Sequence, residues 1–121
     1  MRQERLIPEA LSASSLSSNG VVNPQGEDLG KIEDIMIDIR SGRVAYVVLS
    51  FGGFLGLGEK FFAIPWDALA VDTNRKVFVL NVPKEVLQKA PGFDKDHWPL
   101  TSDVDWLDGI YDYYGYEPYW R

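Results

Sequence analysis

The chain has 121 residues, 45% of them hydrophobic and 25% charged, with a net charge of −6 and no cysteine. That length fits one domain, or one domain with a tail, and it buries a core without cross-links. The missing cysteines exclude disulfide frameworks, thiolate zinc sites and cysteine nucleophiles, and they agree with a reducing compartment.

Residues 1–9 mix charges of both signs with no apolar run, so no secretory signal is expected. No stretch approaches the ~20 apolar residues of a bilayer span, and the expectation is a soluble, cytoplasmic protein. Leu11–Gly20 is serine-rich and ends in Asn19-Gly20, which reads as an irregular lead-in. A turn follows at Asn23-Pro24-Gln25-Gly26.

Between Gly30 and Ile39, Ile35, Ile37 and Ile39 alternate with Met36 and Asp38, the period of a half-buried strand. Ile32 is out of phase with them, and a bulge near Glu33-Asp34 returns it to the core side. Ser41-Gly42 makes a hairpin turn. Val44–Phe51 is apolar at nearly every position, which suits a strand covered on both faces.

Lys60–Ile64 reads as a third strand, stopped by Pro65, which has no amide to donate. One helical turn is expected at Trp66–Leu69. A strand at Val77–Val82 follows the turn Asp72–Arg75. Pro83 opens a short helix through Lys89, ended by Pro91-Gly92. Short strands apolar on both faces predict an all-β domain with minor α, closed or nearly closed into a small barrel.

Residues 93–121 differ in kind. They hold three of the four tryptophans and five of the six tyrosines, and from residue 94 onward seven Asp/Glu against two Lys/Arg. Free nucleic acid and anionic membrane surfaces are repelled by such a tail. Ser102 is the expected N-cap of a helix with Asp103 and Asp105 in its first turn, Trp106, Ile110 and Tyr113 or Tyr114 at helical spacing, and Gly115 as its stop.

The run from Gly26 to Leu69 resembles a PRC-barrel domain, the family named for the cytoplasmic domain of the photosynthetic reaction centre H subunit. Gly26-Glu-Asp-Leu-Gly30, Gly42-x-Val-x-Tyr46, the glycine loop after Phe51 and Phe62-Ala-Ile-Pro-Trp66 carry the likeness. Asn81–Glu85, Ala90–Asp94 and Tyr113–Trp120 extend it, so that it covers residues 10 to 120. The resemblance implies a small PRC-type β-barrel used for assembly and docking, with no shared catalytic residues. Residues 1–92 would form the barrel domain, and 93–121 an acidic aromatic extension packing on the barrel or on a partner.

The stretch Gly53–Lys60 comes close to a phosphate-binding loop, but Glu59 separates Gly58 from Lys60, no Ser or Thr follows, and the next residues favour a strand. Glycine here serves a connection carrying Phe54, Leu55 and Leu57, which either lids the barrel or protrudes as a contact. Asp34 and Asp38, four strand residues apart, stand about 13 Å from each other and cannot share one ion. Asp94–Trp98 opens like a calcium loop and then puts Trp98 and Pro99 where a ligand and a glycine belong. His97, the one histidine, has no nucleophile elbow to serve.

No catalytic, cofactor or metal residue is therefore assigned. The candidate contact residues are Phe54, Leu55, Leu57, Trp106, Ile110, Tyr113, Tyr114 and Trp120, facing either the chain's own barrel or a protein partner. The leading expectation is a non-enzymatic interaction module, homo-oligomeric and foremost a dimer, with a protein partner, no direct nucleic acid and no membrane span. The alternative is an accessory role in RNA metabolism or ribosome biogenesis through a ribosomal protein contact, which the resemblance implies because a related domain occurs in a ribosomal maturation protein.

Overall fold

The structure is a computed structural model that describes residues 10–16, 19–52, 59–94, 96–100 and 103–121. After the one-turn helix α1 (Ala13–Leu16) come strands β1 (Gly20–Val22), β2 (Asp28–Ile37), β3 (Val44–Gly52) and β4 (Glu59–Ile64). A 3₁₀ turn (Trp66–Ala68) leads to β5 (Leu69–Asp72) and β6 (Val77–Leu80), then to helices α2 (Lys84–Gln88) and α3 (Val104–Tyr114). The strands form a single curled sheet, a half-barrel, in the order β4-β3-β2-β1-β6-β5. Every pairing is antiparallel except β1 with β6. Among the described residues no helix is long and apolar enough to cross a membrane.

The concave side is the main core. Val21, Leu29, Ile32, Val47, Leu49, Phe62, Ile64, Phe78 and Leu80 point into it, and α2 plugs it with Leu87. On β3 the opposite parity is buried as well: Tyr46, Val48 and Ser50 face away from that core yet are under 9% exposed. This is the strand with both faces covered that its unbroken apolar run predicts.

The expected bulge is present. Pairing jumps from Ile32↔Leu49 to Asp34↔Val48, leaving Glu33 unopposed and keeping Ile32 1% exposed. The predicted burial of Ile37 and Ile39 is corrected. The two are 49% and 93% exposed, because the β2 ladder ends at Ile37 after a second register shift and the hairpin runs out past the core. Gly30 is held at φ +119°, and a Cβ there would lie 2.1 Å from the Ser50 carbonyl oxygen, so this crossing of β2 over β3 needs glycine.

Strands β1 and β5 fall where no strand is expected from the sequence. β1 is pinned by Asn23, 1% exposed, whose Oδ1 accepts the amides of Gln25 and Glu27. The helical turn after Pro65 is shorter than expected and 3₁₀ in type.

Candidate functional site

The second face of β3 and β4 is covered by the C-terminal segment, and that covering layer is the candidate site. It begins at Phe93, which exchanges both backbone hydrogen bonds with Phe61 at 2.9 and 2.8 Å and so caps the edge of β4. The approach is close: a Cβ on Gly92 would meet the Phe61 carbonyl at 2.8 Å. Trp98 then stacks edge-on against both Phe93 and Phe61.

α3 is capped by Asp103, not by the expected Ser102, which lies outside the described residues. The Asp103 carboxylate accepts the Trp106 amide at 2.9 Å, and its charge suits the helix N-terminus. At the other end Gly115 adopts φ 79° and stops the helix as the sequence predicts.

The inner face of α3 is apolar. Ile110 is 2% exposed among Ala45, Val48, Phe61 and Ala63, and Trp106 meets Tyr46 edge-on at 5.5 Å. Tyr111 donates its hydroxyl to the Ala45 carbonyl at 2.7 Å, and burial pushes its phenol up to about 12. Tyr114 is also raised by burial; its hydroxyl has no hydrogen-bond partner among the described residues. Tyr113 is 41% exposed and donates to the Val86 carbonyl, tying α3 to α2.

Beyond Gly115 the chain turns back. Tyr119 donates to Asp38 at 2.7 Å, while Arg43 donates to the Tyr119 carbonyl and lies 5.4 Å over its ring. Burial, then the bond to Asp38, raises the Tyr119 phenol; that same bond leads the causes that hold Asp38 below the usual carboxylate value. Trp120 packs edge-on against Tyr111 at 5.2 Å.

The outer face of α3 is acidic. Asp105, Asp108 and Asp112 recur at helical spacing on one side, Gly109 adds no side chain between them, and with Tyr116 and Glu117 they line an open groove of ≈ 570 Å³. Arg121 closes one end, its Nη2 donating to both carboxylate oxygens of Asp108 at 2.9 Å. Among the described residues no three carboxylate or imidazole groups stand close enough together to hold a metal ion. His97 stands 3.6 Å from Asp94, with both side chains well exposed.

Of the sequence-derived contact residues, Trp106, Ile110, Tyr113, Tyr114 and Trp120 come together on this extension, most of them turned toward the chain's own sheet. Phe54, Leu55 and Leu57 lie outside the described residues. Sequence reasoning passed over Asp38, Arg43 and Tyr119, which anchor the extension, because a contact spanning 81 residues leaves no local pattern.

No curated protein matches the chain. A crystal structure of a 16S ribosomal RNA processing protein, RimM, from Pseudomonas aeruginosa is similar with a TM-score of 0.43 and 14% sequence identity. The match covers 62% of this chain and 45% of that one, so this chain spans less than half of that protein's length. The family model of the PRC-barrel domain matches residues 8–87, from the lead-in through Leu87 on α2. With that match laid over the curled sheet, the chain belongs to the PRC-barrel family.

Proposed function

We propose that the chain is a non-catalytic, cytoplasmic protein-interaction module whose docking surface is the acidic outer face of α3, and that it takes a basic segment of a protein partner. The observation that carries this is the two-sidedness of α3. One face is used up on the sheet, and the other lines an open groove with Asp105, Asp108 and Asp112, to which Glu117 adds a fourth carboxylate. Helix stability accounts for Asp105, in the first turn, but not for all of those charges. Asp112 sits in the last turn, where the helix dipole disfavours a carboxylate, and that turn holds no basic residue.

Tyr116 at 36% exposure and the carboxylates together supply what a cationic peptide needs, an aromatic surface and steering charge. Exposed ion pairs contribute about 0.2–1 kcal/mol each, so removing three weakens binding about tenfold.

Calorimetric titration with an oligo-arginine peptide tests the proposal. Asp105→Asn/Asp108→Asn/Asp112→Asn is expected to weaken binding about tenfold, and added salt to weaken it further. Asp28→Asn/Glu33→Gln/Asp34→Asn, an equal change of charge on β2, is the control. If the two triple variants bind alike, the groove is not the docking surface.

A further inference from the structure

The β2–β3 hairpin is one of the places where the fold holds apolar side chains out into water, and its tip is the most exposed of those among the described residues. Ile39 at its tip is 93% exposed and Ile37 is 49% exposed. The turn is well fastened: the Asp38 amide donates to the Arg43 carbonyl at 2.8 Å and the Gly42 amide to the Asp38 carbonyl at 2.7 Å. The Asp38 carboxylate accepts the Arg40 amide as well. Beside the isoleucines Arg40 is exposed, and no ion pair among the described residues engages it. The hairpin is thus a firm apolar knob carrying a cation.

The groove on α3 has the complementary character. Asp105 and Asp112 have no ion-pair partner among the described residues, and Tyr116 offers an aromatic surface. The knob and the groove are also neighbours. Tyr119 touches Asp38 of the hairpin, and two residues later Arg121 touches Asp108 of the groove.

From this charge complementarity and adjacency we infer that the hairpin of one copy docks in the α3 groove of a second copy about a twofold axis. The basic segment that the groove takes is then Ile37–Arg43 of the chain itself. The inference rests on the reading of the groove as a docking surface for basic segments, and it names the partner. A twofold axis lets each copy give its knob and receive the other's, so the pair closes and the contact occurs twice. An anionic membrane is a poorer occupant for the isoleucines, because the chain carries a net charge of −6.

Sedimentation of the full chain from about 1 to about 500 μM, the range of modest interfaces, tests the pairing. A monomer–dimer equilibrium is expected, and Arg40→Glu and Asp112→Arg should each shift it at least about tenfold toward monomer. Mixed in equal amounts the two variants should dimerise again. One contact of the mixed pair is then charge-reversed on both sides and the other is native. Ile39→Asp, changed at the exposed tip, should also give monomer. A wild-type monomer throughout, a dimer indifferent to these changes, or a mixture that stays monomeric would each overturn the pairing. A wild-type monomer that still binds oligo-arginine through the groove overturns the dimer and leaves the groove reading standing. A chain that neither dimerises nor binds the peptide overturns both.

Discussion

The Tyr119 hydroxyl donates to the Asp38 carboxylate across 2.7 Å, and this bond fastens the end of the C-terminal extension to the β2–β3 hairpin. Because the bond holds Asp38 below its ordinary value, its contribution is present above the unfolded-state value of about 3.9 and is lost as pH falls through the folded one. Acidification below about pH 4 is therefore expected to loosen the extension while the sheet persists. The Trp120 indole resonance reports it, moving in the wild type with Asp38. In Tyr119→Phe that movement should be lost, since the hydroxyl that couples the two is gone.

Ile110 is the buried hinge of the layer between α3 and the sheet, 2% exposed among Ala45, Val48, Phe61 and Ala63. Ile110→Ala removes three carbons from a packed site and should cost about 2–4 kcal/mol. Urea unfolding followed by circular dichroism measures this. A loss under about 1 kcal/mol would mean that α3 is not docked as described.

Gly30→Ala combines a left-handed φ with a Cβ thrust onto the Ser50 carbonyl. Either defect costs about 1–3 kcal/mol, so a loss of about 2 kcal/mol or more is expected in the same assay. Gly26, also at positive φ but with open space around it, should suffer less from alanine.

Tyr114→Phe runs the other way. Its hydroxyl is buried without a partner among the described residues, and such a group carries a desolvation penalty that phenylalanine does not. The variant should be as stable as the wild type, or more stable by up to about 1 kcal/mol. A clear loss would reveal a hydrogen bond to that oxygen.

How much of this was legible beforehand depends on the range of the interactions. Local pattern was enough for β3, whose apolar residues fall on both parities, and for the bulge at Glu33, which the phase of Ile32 betrays. It was enough for the stop at Gly115. It missed β1 and β5, three and four residues long, because strands so short show no period and exist here through their neighbours. It misplaced Ile37 and Ile39, whose alternation is real but continues beyond the end of the core. In the candidate site the aromatic and acidic composition of the extension stood out. The apolar face of α3 followed from helical spacing, but its acidic outer face and the anchors on Asp38 and Arg43 did not.

The parallel pairing of β1 with β6, Val21 against Phe78, bears on how the molecule is made. As the polypeptide leaves the ribosome, β2, β3 and β4 can zip together from nearby turns. β1 must wait with one flank bare until the stretch around Phe78 has emerged. Such a late, distant closure is slow, because a long loop loses its freedom before any contact rewards it. A nascent chain stalled before residue 77 should thus be readily cut by protease at its N-terminal end, and one stalled well past residue 80 should resist.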